Sequence, residues 1–281
     1  MQANYARCLA NTLVEEGGWT NDPRDPGGPT MRGIIQREYD RYRDARGLPR
    51  QSVRFISEGE LQAIYAGNYW KPMRGDLWPK GSDQIVFDIA VNSGTVRAPQ
   101  IMGAAMGTSE RNPAQLAVMA QRSGDRVGIV KRACARRAGF YRALRTFSAF
   151  GRGWLRRNAR MEAIGVRMAL EEEGGVRPGA LEREKTAAQA KAKRAGQGAT
   201  GTAGGGAAGG GALTQTDASA WDWSAWLLVG AGAVAAIALV VFLVWLWRKH
   251  GERAKAYAAA IAGTLEADLD TVLGRIKGAS A

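Results

Sequence analysis

The sequence predicts a mainly helical fold with a small β element, followed by a glycine-rich linker and one transmembrane helix. Apolar residues recur at helical spacing along most of residues 1–175, whereas an alternating strand pattern is almost absent. Nine of the eighteen residues from 195 to 212 are glycine, and residues 227–247 carry no charge. These observations place a helical domain, a linker and a membrane segment in that order along the chain.

The first predicted helix covers residues 2–16. Tyr5, Leu9, Leu13 and Glu16 recur at helical spacing and therefore share one face. This arrangement places the carboxyl group of Glu16 on the apolar face, and Gly17–Gly18 then stops the helix. The segment 19–35 follows as a looped stretch with Asp-Pro-Gly turn chemistry, and it is where we expect the small β element.

Four further signals position the remaining helices of the domain. Ser57 and Glu60 form a capping box that opens a helix over 58–69. The apolar run 85–91 predicts a buried central helix that Asn92-Ser93-Gly94 ends. Asn112 followed by Pro113 is a helix start. Segments 125–147 and 153–173 close the domain.

Charge and composition exclude several classes of function. The chain has 39 Lys and Arg residues against 26 Asp and Glu, and twelve of the basic residues lie between 122 and 160 beside one acid. Such a surface attracts polyanions, and we interpret it as a solvated basic face. The absence of nucleic-acid-binding motifs argues against a nucleic acid partner. Cys8 and Cys134 are expected to be buried free thiols.

One histidine, His250, rules out a histidine triad or a histidine zinc site in the helical domain. Catalysis there must use carboxylates, and we expect no metal and no other cofactor. Glu16 is the candidate general acid, because a poorly hydrated carboxyl holds its proton at higher pH. Asp25, with Asp22 as its rival, is the candidate that orients or deprotonates water, and the hydroxyl of Thr30 is placed to hold the same water.

The string Glu-Gly-Gly-Trp at 16–19, continued by Asn-Asp-Pro at 21–23 and Asp-Pro-Gly-Gly-Pro-Thr-x-x-Gly-Ile at 25–34, resembles glycoside hydrolase family 108. Residues 69–74, 87–94 and 140–154 resemble the predicted peptidoglycan-binding region that accompanies this family. The resemblance implies a lysozyme-like N-acetylmuramidase whose acid is the glutamate of the first string. It divides the chain into a catalytic part, 1–80, and a peptidoglycan-binding part, 81–175.

The resemblance also suggests which side chains contact the sugar chain. Trp19, Tyr69 and Trp70 offer aromatic faces for stacking on sugar rings, and Asn92 offers an amide for N-acetyl groups. Wider phage-type lysozymes place the threonine six residues after the aspartate, whereas Thr30 follows Asp25 at five. That departure weakens the transfer of a water-holding role to Thr30. Core and capping roles remain open for these residues.

The C-terminal third is predicted to attach the enzyme to a membrane. Residues 176–220 form the linker, 224–247 a transmembrane helix flanked by tryptophans, and 251–281 an amphipathic tail helix. Basic residues follow the span, so the positive-inside rule favours a periplasmic catalytic domain on a single-pass protein of the bacterial inner membrane. The sequence has no N-terminal signal peptide, which leaves the orientation open. Partners of the tail are the membrane surface, a holin or a second copy.

Three alternatives to a muramidase remain at this stage. A lytic transglycosylase would need no water-activating base. A non-catalytic wall-binding protein would use the same fold for adhesion. A holin-like protein would use residues 220–281 to permeabilise the membrane, with the enzyme as cargo.

Overall fold

The computed structural model describes residues 2–21, 28–172, 179–205 and 250–262, together with positions 244, 246, 248 and 272. The chain forms two compact units, one of Met1–Pro178 with Ala259–Ala281 and one of Gly179–Ala258. Every predicted site residue that the structure describes belongs to the first unit.

The first unit is mainly helical with one small antiparallel sheet, as predicted. Its strands are β1 (Trp19–Thr20), β2 (Thr30–Met31) and β3 (Ile34–Ile35). Its helices are α1 (Gln2–Leu13), α2 (Gln36–Asp44), α3 (Glu58–Tyr65), α4 (Ser82–Ser93), α5 (Arg97–Ala105), α6 (Pro113–Arg122), α7 (Arg126–Arg142) and α8 (Phe147–Glu172). Short 3₁₀ segments cover Val53–Phe55 and Gly75–Leu77, and a π-helical turn covers Ala66–Trp70.

The sheet has the order β1-β2-β3, with Trp19 opposite Met31 and Thr30 opposite Ile35. Strands β2 and β3 are joined by the two residues Arg32 and Gly33, whose φ angles are 51° and 78°. Left-handed backbone at both central positions is the geometry of a tight two-residue hairpin. The hairpin therefore turns sharply at Gly33.

Helix α4 forms the centre of the first unit, as the apolar run predicted. Its residues from Ser82 to Ala90 are all buried, and α1, α5, α7 and α8 pack against it. The helix ends at Gly94, whose φ of 90° is available to glycine at little cost. Side chains from both halves of the predicted domain therefore meet around one helix.

Local signals in the sequence explain where two other helices begin. The Ser57 side chain accepts a hydrogen bond from the Glu60 N–H, and the Glu60 carboxylate accepts one from the Ser57 N–H. Asn112 caps α6, and Pro113 occupies its first turn. Both predicted starts are confirmed.

The first helix is shorter than predicted. It ends at Leu13, and residues 14–16 form a turn in which the Glu16 N–H donates to the Leu13 carbonyl oxygen at 3.2 Å. Gly17 follows with a φ of 71°, a left-handed conformation that carries the chain away from the helix. Glu16 therefore lies just beyond the helix rather than within it.

The predicted division at residue 80 and the predicted linker 176–220 stay predictions. Residues on both sides of residue 80 belong to the same compact unit. Helix α9 (Ala180–Gly205) lies within the predicted linker. Residues 180–195 are rich in Ala, Glu, Lys and Arg, which are strong helix formers, and this propensity explains the helix. Cys8 and Cys134 are buried free thiols, as predicted.

Among the residues that the structure describes, no helix has the length and apolar character needed to cross a membrane. The predicted transmembrane segment 224–247 lies outside the described residues, apart from positions 244 and 246, and so does the rest of the predicted linker, 206–220. Residues 250–261 are helical, which agrees with the beginning of the predicted tail helix.

Candidate active site

Glu16 lies in the turn after α1, and its side chain is 18% exposed. The carboxylate is therefore partly covered and does not project into bulk solvent. The neighbouring Glu15 forms an ion pair with Arg160 at 3.0 Å, and Glu16 forms one with Arg157 at 2.7 Å. Two consecutive carboxylates are thus fixed by two different arginines of α8. The expected apolar setting of Glu16 is corrected: its nearest charged partner is a guanidinium.

Arg157 is itself held by a buried aspartate. Its Nη2 donates to Asp88 Oδ1 at 2.7 Å and its Nε to the same oxygen at 3.2 Å, which leaves Nη1 to face Glu16. The other oxygen of Asp88 accepts from Arg137 Nη1 at 2.5 Å. Asp88 and Arg137 are fully buried. We call this series, Arg137–Asp88–Arg157–Glu16, the ion chain.

Both inner members of the ion chain stay charged. Burial raises the pKa of Asp88, but Arg157 and Arg137 outweigh it and hold this pKa at about 2. Burial lowers the pKa of Arg157, but the charges of Asp88 and Glu16 outweigh it and raise the pKa above its usual value. Arg157 makes two hydrogen bonds to Asp88 in addition to its contact with Glu16. The position of Arg157 is therefore fixed from the buried side by Asp88.

The β-hairpin approaches Glu16 at Gly33. A Cβ atom at this position would lie 2.6 Å from Tyr65 Oη and 2.9 Å from Glu16 Oε2. The Tyr65 hydroxyl donates to the carbonyl oxygen of Arg32 at 2.8 Å, which fixes the hairpin against α3. Glycine is therefore required at position 33 both by its φ of 78° and by the space that Glu16 occupies.

Glu38 is a second partly buried carboxylate, and it lies near Tyr69 on the same side of the site. The rings of Tyr69 and Tyr65 are 5.6 Å apart. Burial raises the pKa of Tyr69 to about 12, and the charges of Glu38 and Glu16 add to this effect. Glu38 accepts a hydrogen bond from Asn68, and burial raises the pKa of Glu38. Tyr69 thus lies within electrostatic reach of two carboxylates, one of which the sequence did not suggest.

The family model of glycosyl hydrolase 108 matches residues 9–94. Glu16, Gly33, Tyr65 and Asp88 all lie inside this range. Residues 9–94 are similar to glycosyl hydrolase 108, and we call this stretch the glycosyl hydrolase 108 domain. The chain is a glycoside hydrolase, and peptidoglycan is its class of substrate. The family resemblance in the sequence is confirmed.

The chain is also similar to a solved structure. The solved structure of Brucella abortus SagA is similar to this chain, with 26% sequence identity and a TM-score of 0.52. The similarity covers 60% of this chain and 97% of the SagA chain. A comparison with curated proteins finds no match.

The ion chain extends beyond the residues matched by the family model. Asp88 and Glu16 belong to the glycosyl hydrolase 108 domain, whereas Arg137 and Arg157 lie on α7 and α8, after residue 94. Helices α7 and α8 therefore complete the surroundings of Glu16. Their basic residues are not all part of a solvated face, because these two guanidinium groups are buried.

Asp22 and Asp25 lie outside the described residues. The hydroxyl of Thr30 donates to the Gly28 carbonyl oxygen at 3.0 Å. Trp19 is half-buried on β1, and the guanidinium of Arg54 lies 5.9 Å from its ring. The roles predicted for Asp25, Thr30 and Trp19 stay predictions.

Trp70 is a core side chain, which corrects the expectation of a stacking surface. It is 4% exposed, and its ring lies 5.3 Å from the ring of Tyr5 and 5.6 Å from that of Phe87. Its position at the end of the π-helical turn directs it toward α4. Tyr69, the preceding residue, is half-buried and remains the candidate for sugar contact.

Asn92 is exposed at the end of α4. Its Oδ1 accepts from the Tyr141 hydroxyl at 2.7 Å, which leaves the amide nitrogen as the group that could donate to a ligand.

In the described part of the chain, no cluster of three or more His, Cys, Asp or Glu side chains could bind a metal ion.

The sequence did not point to Arg137 and Arg157 as site residues, although a signal was present. Arg157 continues a helical series with Phe150, Trp154 and Met161, and every other member of that series is apolar. An arginine within an apolar stripe must be paired if it is buried. That rule would have separated these arginines from the solvated ones.

Proposed function

We propose that the glycosyl hydrolase 108 domain, completed by α7 and α8, hydrolyses the β-1,4 bond between N-acetylmuramic acid and N-acetylglucosamine. Glu16 protonates the glycosidic oxygen that leaves. The observation that carries this proposal is the ion chain, which ends on the partly exposed carboxylate of Glu16. A general acid must be held in a fixed geometry to be effective, and three buried charges hold this one.

In this proposal Arg157 positions the carboxylate of Glu16. It is bonded to Asp88 through two nitrogens and touches Glu16 with the third. Substrate can therefore displace one contact of Arg157 while the arginine stays in place. The hairpin turn packs directly against Glu16 at Gly33, and it can do so because glycine carries no side chain.

Hydrolysis needs a second group that acts on water or on the sugar. We propose Asp25 for this role, with Thr30 fixing the end of its loop through the bond to Gly28. Asp22 and Glu38 are the competing carboxylates, the latter because it shares the surroundings of Tyr69. Activity of Asp25→Asn and Glu38→Gln, measured side by side, separates these assignments.

The central experiment digests purified sacculi with the full-length protein and identifies the released products by mass spectrometry. The wild type should release fragments that end in reducing N-acetylmuramic acid. Glu16→Gln should lower the rate by about 10²–10⁴-fold, because general acid catalysis contributes that much.

Glu15→Gln is the matched control for this variant. Glu15 is the adjacent residue, is similarly exposed (23% against 18%) and also pairs with an arginine of α8. It should retain near wild-type activity. Full activity of Glu16→Gln would show that the acid is another residue.

The same products distinguish the other candidate functions. Anhydro sugars, with activity retained in Asp25→Asn, would indicate a lytic transglycosylase. Binding to sacculi without release of fragments would indicate a wall-binding protein.

We further propose that residues 224–247 anchor the enzyme in the bacterial inner membrane with the catalytic domain in the periplasm. The support is the charge-free run 227–247, flanked by tryptophans and followed by basic residues. Protease treatment of spheroplasts should degrade the catalytic domain, and deletion of residues 221–281 should release it from membranes. A fall in membrane potential on expression of residues 213–281 alone would instead favour the holin-like alternative.

A further inference from the structure

An exposed aromatic surface lies at the N-terminal end of α8. Phe150 is 58% exposed, and its ring centroid lies 5.9 Å from that of Trp154. Trp154 is half-buried, and its ring packs 5.3 Å from the ring of Tyr141 on α7. Adjacent aromatic side chains at a surface form an apolar patch, and such patches often mark a binding site.

This surface continues the face of α8 that holds Glu16. Residues 150, 154, 157 and 161 follow helical spacing and so lie on one side of the helix. Met161 is buried in the core, and Arg157 contacts Glu16. Trp154 lies three residues, about 5 Å along the axis, before Arg157. The aromatic surface therefore begins about one helical turn from Arg157, the residue that contacts the candidate acid.

The ring of Trp154 packs against Tyr141, a buried side chain with several contacts of its own. Tyr141 is buried, donates its hydroxyl to Asn92 Oδ1 at 2.7 Å and lies 5.3 Å from the Arg137 guanidinium. The support for Trp154 is thus connected to the ion chain through Arg137. Because this ring is already ordered, the protein loses little side-chain entropy when a ligand stacks on it.

We propose that Trp154 and Phe150 form a sugar-stacking surface that binds rings of the glycan strand adjacent to the bond at Glu16, with the Asn92 amide donating to an N-acetyl group. This inference rests on the proposed glycan hydrolysis. Pyranose rings present flat faces of C–H groups, which suit aromatic faces, and Tyr141 leaves the Asn92 amide nitrogen as the donor. Continuity of the surface with the Glu16 site identifies the glycan strand as its occupant.

The test measures binding and turnover separately in the full-length protein. Glu16→Gln is the background for binding, so that sacculi are not consumed during co-sedimentation. In that background, Trp154→Ala and Phe150→Ala should each weaken binding to sacculi by about tenfold, the loss expected for one well-placed aromatic anchor. Trp154→Phe should recover most of the binding because it keeps an aromatic face.

Turnover on soluble glycan fragments of increasing length gives the second measurement. With Glu16 intact, the alanine variants should raise KM for long strands about tenfold and leave kcat nearly unchanged. Met119→Ala on α6, also an exposed apolar side chain (40%), is the control and should change neither quantity.

The outcomes separate this inference from the proposed function. If Glu16→Gln abolishes lysis but Phe150→Ala binds sacculi as tightly as its parent, the stacking surface is wrong and the acid assignment stands. Phe150 is exposed enough that its replacement will not unfold the domain. If Phe150→Ala instead converts a dimer into a monomer, measured by light scattering, with sacculus binding unchanged, the surface is a contact between copies.

Discussion

Two aspartates of α4, Asp83 and Asp88, are both fully buried, but their pKa values are shifted in opposite directions. Asp83 accepts from the Asn4 amide at 3.0 Å and from the Gln84 N–H at 2.7 Å, and burial raises its pKa to about 7. Asp88 is equally buried, but its two arginine partners hold its pKa at about 2. The difference comes from the partners rather than from the depth of burial.

The comparison shows that one helix can hold one aspartate with a raised pKa and another with a lowered pKa. Burial outweighs the charge of Arg7 at Asp83, so this carboxyl is neutral over much of the acidic range. Asp88 is a permanent anion, and this anion fixes Arg157 against Glu16. Only the second arrangement can transmit a fixed position to the site, because Asp88 stays ionised down to about pH 2.

The largest expected effect is that of Asp88→Asn. The variant leaves two buried guanidinium groups without their anion, which should cost about 3–5 kcal/mol of the free energy of unfolding. Lysis of sacculi should fall by about 10²-fold at a temperature where the variant is still folded, because Arg157 no longer fixes Glu16. Urea unfolding followed by tryptophan fluorescence, together with the lysis rate, provides both measurements.

Asp83→Asn is the matched control, since it makes the same substitution at equal burial on the same helix. It should leave the lysis rate unchanged. Equal losses of activity in the two variants would mean that α4 tolerates no change at all, and the ion chain would then have no special role.

The second effect is a dependence of stability on pH that originates at Asp83. Its folded pKa is raised, so the folded protein keeps this proton while the unfolded chain loses it above about pH 4. The free energy of unfolding should therefore fall between about pH 4 and pH 7, by roughly 4 kcal/mol from this group. The pKa of Asp88 is depressed, so its contribution is lost only on further acidification, between about pH 4 and pH 2.

Asp83→Asn should remove the decline between pH 4 and pH 7. The variant should match the wild type near pH 4 and exceed its stability at pH 8. A wild-type stability that stays flat from pH 4 to pH 8 would contradict the raised pKa of Asp83.

Local signals made much of the fold predictable from the sequence. The capping box at Ser57, the Asn112–Pro113 start and the apolar run of α4 each act through neighbours a few residues away, and each was confirmed. Glu16 was identified as the candidate acid by a motif of the same local kind. The helix over 180–205 was missed because glycine content was given more weight than the helix formers before it.

The ion chain could not be assembled from the sequence, because it joins residues from four separate segments. Asp88 and Arg157 are 69 positions apart. Nothing local distinguishes Arg157 from the exposed arginines around it except its place in an apolar stripe. Trp70 was misassigned for the same reason, since an aromatic residue follows the same spacing whether it faces a ligand or α4. Whether such a side chain is buried or faces a ligand depends on the residue it packs against, and the spacing along the sequence does not show that residue.

The smallest expected effect on the free energy of unfolding is that of Asn4→Ala, which changes the surroundings of Asp83. This change removes the one side-chain amide that the structure shows donating to Asp83 and leaves the Gln84 N–H in place. An N–H donor stabilises the ionised carboxylate more than the neutral acid. The cost should therefore be about 1 kcal/mol at pH 8, where Asp83 is ionised, and less at pH 5. Urea midpoints at the two pH values test this, and an equal cost at both would show that Asn4 does not distinguish the two protonation states of Asp83.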